Sequence, residues 1–127
     1  MSSEYELIVG CPKVANEDGR RFERRWLLVD EQFAWDRGRY ADKLSGVQIS
    51  ISFGNMVLRA PGMLRLDLPM DVIEDDDSVW REARVDEQML KVVDEGDLAS
   101  VWFSNVVGCP CRLVKVHPDE PTPQFQT

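Results

Sequence analysis

The sequence predicts an all-β fold, or a β-rich α+β one: a single barrel or rolled antiparallel sheet with one main C-terminal helix. Three observations predict it. Several short runs alternate apolar and polar residues, most strictly Val47-Gln48-Ile49-Ser50-Ile51-Ser52, the pattern of a half-buried strand. Turn formers separate the runs, as at Asn16-Glu17-Asp18-Gly19, Gly54-Asn55 and Pro61-Gly62. Only around residues 98–106 do apolar residues recur clearly at helical spacing.

In chain order, residues 4–9 alternate loosely and read as a first strand, interrupted by Gly10-Cys11-Pro12. Residues 16–19 form a turn. Residues 24–29 follow as a strand. Trp26 and Leu28 face one way and Leu27 and Val29 the other, so the run is apolar on both faces and reads as a central strand. Asp30-Glu31-Gln32 links by a hairpin to a short strand at 33–36, and residues 37–46 read as a loop. The strand at 47–52 turns at Gly54-Asn55 into 56–59. Leu64, Leu66 and Leu68 alternate with Arg65 and Asp67 in a strand that Pro69 ends, since proline cannot donate to a ladder.

Residues 71–78 hold the acidic run Glu74-Asp75-Asp76-Asp77, a solvated loop. Residues 79–85 form another strand, and 86–93 suit strand or helix. Asp94 or Asp97 caps the main helix, whose apolar positions are Leu98, Val101, Trp102 and Val106. Gly108 and Pro110 stop it. Residues 112–116 form the final strand, and a Pro-rich tail is expected to be mobile from about 117.

The chain of 127 residues is expected to be one domain, 1–127, able to bury a core without disulfides or metal. A net charge of −8 argues against a nucleic-acid binder and against an anionic membrane as the main partner. No signal peptide or membrane span is visible, and three cysteines, an odd number, fit reduced thiols. A cytoplasmic location is therefore expected.

Cys109-Pro110-Cys111 lacks a second closely spaced pair for structural zinc, and reads as small residues at a helix–strand junction, one of them buried. His117, the only histidine, has no nucleophile motif near it and reads as exposed and idle. The four tryptophans read as core. The arginines carry more information. Arg20, Arg21, Arg24, Arg25, Arg37 and Arg39 crowd the strand at 24–29 and its flanks, reversing the local sign of an acidic chain. A guanidinium fork suits phosphate or carboxylate. Arg24 and Arg25, adjacent on a strand, should point to opposite faces, so at most one looks into a given cleft while the other is a surface charge. Ordinary pairing with the abundant Asp and Glu competes with this reading.

Several segments together resemble the N-terminal β-barrel domain that precedes the MOSC domain in amidoxime-reducing enzymes and molybdenum-cofactor sulfurases. Glu23-Arg24-Arg25-Trp26-Leu27-Leu28-Val29-Asp30 resembles that family's acidic–Arg–variable–aromatic start to an apolar strand, with Glu for the usual Asp. Phe33-Ala34-Trp35-Asp36-Arg37 keeps its Phe and Arg, with Trp35 for Thr. Ala60-Pro61-Gly62-Met63, Leu66-Asp67-Leu68-Pro69, Val79-Trp80, Gly96-Asp97, Trp102-Phe103-Ser104, Gly108 and Arg112-Leu113-Val114 follow in the family's order. Cys11-Pro12-Lys13-Val14-Ala15 stands where the family has Tyr-Pro-Val-Lys-Ser.

The resemblance implies that Arg24, helped by Arg37, faces the anionic groups of the molybdenum cofactor. It implies no metal ligand here, since the molybdenum-binding cysteine belongs to the MOSC domain, which is expected to be missing. The expected function is a non-catalytic accessory or binding module for a protein partner or a small anionic ligand, with no cofactor bound on its own. The alternative is a subunit that completes a molybdenum-cofactor site with a separately encoded MOSC protein.

Overall fold

The structure, a computed structural model, describes residues 4–35, 40–70, 80–117 and 120. Its larger sheet has five strands, β1 (Trp26–Val29), β2 (Ala34–Trp35), β6 (Trp80–Val85), β7 (Gln88–Asp94) and β8 (Arg112–Val116), in the order β1-β8-β7-β6-β2. The β1–β8, β8–β7 and β7–β6 pairs are antiparallel; β2 joins β6 in parallel. The chain leaves β1 and enters β2 through one tight turn. That turn brings the two ends of the strand order together and nearly closes the sheet into a barrel.

Inside lie Leu27, Val29, Ala83, Val85, Leu90 and Val92, with Val114 and Val116. Trp26, Leu28 and Leu113 face outward into a second core, shared with a helix and a smaller sheet. The predicted division of β1 between two apolar faces therefore holds. Its central position does not: β1 stands at the end of the strand order, and it is buried on both faces because it is a barrel wall.

The outer edge of β1 is covered by the segment expected to be a first strand. Among the described residues that segment forms only isolated bridges, Ile8 with Trp26 on β1 and Tyr5 with Val14 within the N-terminal stretch itself. The Val9 N–H donates to the Trp26 carbonyl at 2.9 Å, and the Trp26 N–H to that of Leu7 at 3.2 Å. These bonds satisfy groups that an uncovered edge would leave open. The expected turn at residues 16–19 is the start of a 3₁₀ turn, Glu17–Phe22, capped by Asn16, whose side chain accepts the Asp18 N–H.

The expected hairpin after β1 is also corrected. Asp30 Oδ1 accepts the N–H groups of Gln32 (2.8 Å) and Ala34 (3.0 Å), and Phe33 is left-handed at φ 57°. This tight turn sends β2 across to β6, where the Arg84 N–H meets the Phe33 carbonyl.

The smaller sheet is antiparallel: β3 (Gln48–Ser52), β4 (Asn55–Arg59) and β5 (Leu66–Pro69). The region read as loop contains one helical turn, α1 (Ala41–Leu44), which buries Leu44. The ambiguous stretch after residue 85 is strand β7, reached through left-handed Asp86.

The main helix, α2 (Asp97–Val107), is capped by Gly96, not by an aspartate side chain. Asp94 instead accepts the Gly96 N–H at 2.8 Å. Arg112 ties both Asp94 and Asp97, which pulls its own pKa up. At the other end Gly108 is left-handed, and its N–H reaches the Ser104 carbonyl at 2.9 Å. The buried face is Ala99, Trp102, Phe103 and Val107, so the expected stripe is rotated: Leu98 and Val101 point to solvent.

His117 is buried, contrary to expectation. Its ring stands edge-on to Trp80 with centroids 4.0 Å apart, and its backbone N–H donates to the Lys91 carbonyl at 2.9 Å. The acidic loop at 71–78, Arg37 and the tail after residue 120 lie outside the described residues. Among the described residues no helix is long and apolar enough to cross a membrane.

Candidate functional site

Arg24 sits at the join between the 3₁₀ turn and β1, not within the strand. Its backbone is left-handed, φ 57°, which costs an L residue about 1–2 kcal/mol. Glu6 holds it there twice. The Arg24 N–H donates to the Glu6 carbonyl at 2.6 Å, and Arg24 Nε donates to Glu6 Oε1 at 3.2 Å. The two terminal amino groups make no hydrogen bond among the described residues. With the side chain 43% exposed, the outer end of the fork is open to an anion. An ion pair this exposed is weak, so Glu6 aims the guanidinium without neutralising its outer face.

Arg25 is not the surface charge expected of it. It is half-buried and clamps the chain after β8, donating to the carbonyls of Val116 (3.2 Å), His117 (2.6 Å) and Glu120 (3.0 Å). Burial pulls its pKa down, and the Glu120 charge opposes this. The structure therefore separates two residues that a regular strand would simply have pointed to opposite faces. Arg24 faces outward, and Arg25 is structural. Arg37, the second residue expected at the site, lies outside the described residues.

Cys11 lies near Glu6. Burial, then the Glu6 charge, pushes its thiol up to about 12. It is protonated at neutral pH and offers neither a nucleophile nor a thiolate ligand. Of the junction cysteines, Cys111 is buried and Cys109 half-buried. The Cys111 N–H donates to Ser104 Oγ at 3.1 Å, and the Ser100 hydroxyl to the Cys111 carbonyl at 2.7 Å, which stitches α2 to the start of β8. Among the described residues no cluster of three or more His, Cys, Asp or Glu could hold a metal ion.

Sequence reasoning missed a depression of about 740 Å³ between the 3₁₀ turn and the smaller sheet. Phe22, Ile51 and Met70 give its apolar lining, and Gly54 its edge. Glu17 and Asp18 line it with Arg20 and Arg21. The Arg21 guanidinium lies 4.8 Å from the Phe22 ring centroid. Lys115 Nζ approaches the rings of Phe22 and Trp26 at 5.4 and 5.2 Å, and donates to the Met70 carbonyl. The signal was present as Gly19-Arg20-Arg21, but nothing in the spacing said which arginines share a wall.

A second unpredicted surface is the outer side of α2. Leu98 is 73% and Val101 58% exposed. Leu64 is also exposed, and its carbonyl accepts the Trp102 indole N–H at 2.6 Å, which brings it beside the helix.

The comparisons with known proteins agree with this architecture. Over 104 residues the chain is 26% identical to a molybdenum cofactor sulfurase of Danio rerio, covering 80% of this chain and 12% of that protein. Over 95 residues it is 30% identical to mitochondrial amidoxime reducing component 2 of Bos taurus, covering 75% of this chain and 28% of that protein. The matched stretch is thus a minor part of each of these longer relatives. The solution structure of a protein coded by a Bordetella bronchiseptica gene locus is 43% identical. It superposes with a TM-score of 0.82, covering 98% of this chain and 97% of that one. The family described as the MOSC N-terminal beta barrel domain matches residues 10–110. With a nearly closed barrel, a second small sheet and one C-terminal helix in place, the chain belongs to the MOSC N-terminal β-barrel domain family.

Proposed function

We propose that this chain is a non-catalytic accessory module that offers the Arg24 guanidinium to an anionic group, either a small ligand or one presented by a protein partner. A single observation carries the reading. Arg24 is held in a left-handed backbone by two bonds to Glu6, with its terminal amino groups left outward. Strain of this kind persists only where surrounding structure fixes it, and it concentrates at binding sites. Cys11, buried and with its thiol pushed up by that burial, is given no part in this role.

A second reading has its own support. One longer relative is named a molybdenum cofactor sulfurase and another an amidoxime reducing component, and the chain matches only a portion of each. In that reading the chain completes a cofactor site with a separately encoded MOSC-domain protein. Arg24 fits the anionic end of such a group, whereas Cys11 does not fit as a thiolate ligand. When bound, the cofactor would supply the redox chemistry and Arg24 would orient its charged end.

Arg24→Ala tests both readings. Binding of inorganic phosphate, and of a cofactor-loaded MOSC-domain protein, is measured by calorimetry beside thermal unfolding. The expected result is about tenfold or greater weakening for whichever probe binds, with folding retained. Unchanged affinity removes Arg24 from the site. Weakening toward phosphate alone favours the small-ligand reading, and toward the loaded protein alone favours the subunit reading.

A further inference from the structure

The β3–β4 hairpin ends in a feature that the domain does not need for its own fold. Its two central residues are Phe53 and Gly54, with φ 52° and 78°. A two-residue turn with both φ values positive is the type I′ turn, which favours Asn-Gly or Gly-Gly. Phe53 is bulky, sits in a strained conformation, and is 102% exposed, so its side chain gains no burial from the domain. An aromatic that adds strain without packing at home is explained by packing elsewhere.

The hole that fits this knob lies next to it. Gly54, its chain neighbour, edges the depression lined by Phe22, Ile51 and Met70. A volume of about 740 Å³ is ample for a phenyl ring. The knob's chain neighbour lines the hole, and a two-fold rotation that seats each knob in the other copy's hole makes an isologous pair. The charges on the depression have the same self-complementary form. Glu17 and Asp18 share it with Arg20 and Arg21, so the rotation can set the acidic pair of one copy against the basic pair of the other. Glu17 is steadied by the Tyr5 hydroxyl at 3.2 Å. A foreign anionic partner would meet Glu17 and Asp18 as repulsion, whereas a second copy carries both signs.

We propose that this face binds a second copy of the chain across a two-fold axis near Gly54, with Phe53 of each copy seated in the depression of the other. The inference uses none of the contacts assigned to Arg24, so the two stand or fall separately.

Sedimentation equilibrium of the full chain tests it, at about 0.15 M salt and from about 1 μM to about 1 mM. The wild type is expected to show a concentration-dependent monomer–dimer equilibrium. Phe53→Asn installs Asn-Gly in the turn, so it should raise Tm by about 2–4 °C while weakening the dimer about 30-fold or more. This variant separates loss of the interface from loss of the fold. A mixing experiment adds a second arm. Arg20→Glu/Arg21→Glu and Glu17→Lys/Asp18→Lys should each be monomeric alone and should associate when combined. A wild type that stays monomeric throughout the range overturns the proposal. So does a Phe53→Asn variant that dimerises like the wild type, or charge variants that associate no better mixed than apart.

Discussion

Arg25→Met isolates the clamp at the end of β8. Methionine retains an apolar stem but removes three donors. Those donors serve the carbonyls of Val116, His117 and Glu120 at 3.2, 2.6 and 3.0 Å. A buried hydrogen bond to a charged group is worth about 1.5–3 kcal/mol net, so simple addition gives about 4.5–9 kcal/mol. That sum is too large here. The site is half-buried, the carbonyl of Glu120 can rehydrate, and the variant no longer bears the cost of desolvating a guanidinium there. A loss of about 2–3 kcal/mol remains. For a domain of this size, one kcal/mol moves Tm by about 3–4 °C, so the expected drop is about 6–12 °C. Calorimetry measures the drop, and amide exchange locates it. The Glu120 N–H, bonded to the His117 carbonyl at 2.9 Å, should lose its protection before the rest of the sheet does. Arg25→Lys should recover only part of the loss, because an ammonium cannot reproduce the planar fork. A change below about 0.5 kcal/mol with Glu120 exchange unaltered would refute the clamp.

The remaining predictions concern titratable groups. In the native protein a thiol-reactive probe at mildly alkaline pH should label Cys109 first, while Cys11 and Cys111 label only on unfolding; rapid labelling of all three in the folded state, followed by mass spectrometry, would contradict their burial. Burial raises the Glu95 carboxyl pKa; Lys115 and the Trp26 indole N–H, which falls short of full hydrogen-bond geometry, pull it back, and Asp94 raises it further. The native state therefore holds this proton more tightly than the unfolded chain does. The group's destabilisation is complete above the folded pKa and relieved as pH falls through it toward the ordinary carboxylate value. Glu95→Gln should raise Tm at neutral pH and flatten its dependence on acidification, and an unchanged pH profile would show that burial does not govern this group.

The fold was legible where one local rule acted alone. The strict alternation at residues 47–52 gave β3, and Gly108 followed by Pro110 gave the end of α2. It was less legible where a tertiary contact chose between local options. Residues 4–9 carry a strand-like pattern, but their partner is the edge of β1, and among the described residues only the isolated bridge of Ile8 with Trp26 forms there. Residues 30–35 look like a hairpin because Asp30 starts a tight turn, yet the same turn delivers β2 to β6. His117 was read as exposed from its Pro-rich sequence neighbours, but Trp80 and the Lys91 carbonyl, distant in sequence, bury it. In α2 the helical period was right and its phase half right: Trp102 is buried and Val106 packs on the core, but Leu98 and Val101 are exposed. Leu98 and Val101 share the spacing of a core stripe, and only the packing of Ala99, Phe103 and Val107 on the barrel wall decides which stripe is buried.

The arginines show why the candidate site was harder to read than the fold. Composition counted them correctly, but a guanidinium's role depends on its backbone and its neighbours, and neither is a property of the residue type. In a regular strand Arg24 and Arg25 would differ only by which face they occupy. The left-handed backbone at Arg24 breaks that alternation, so one guanidinium turns outward against Glu6 while the next bonds to the carbonyls that follow β8. Arg20 and Arg21 reach the depression because the turn predicted at residues 16–19 continues as a 3₁₀ helix through Phe22. A local excess of positive charge in an acidic chain is therefore not one site. It is at least three structural roles that differ in burial, and only those that leave donors facing solvent are available to a ligand or a second chain.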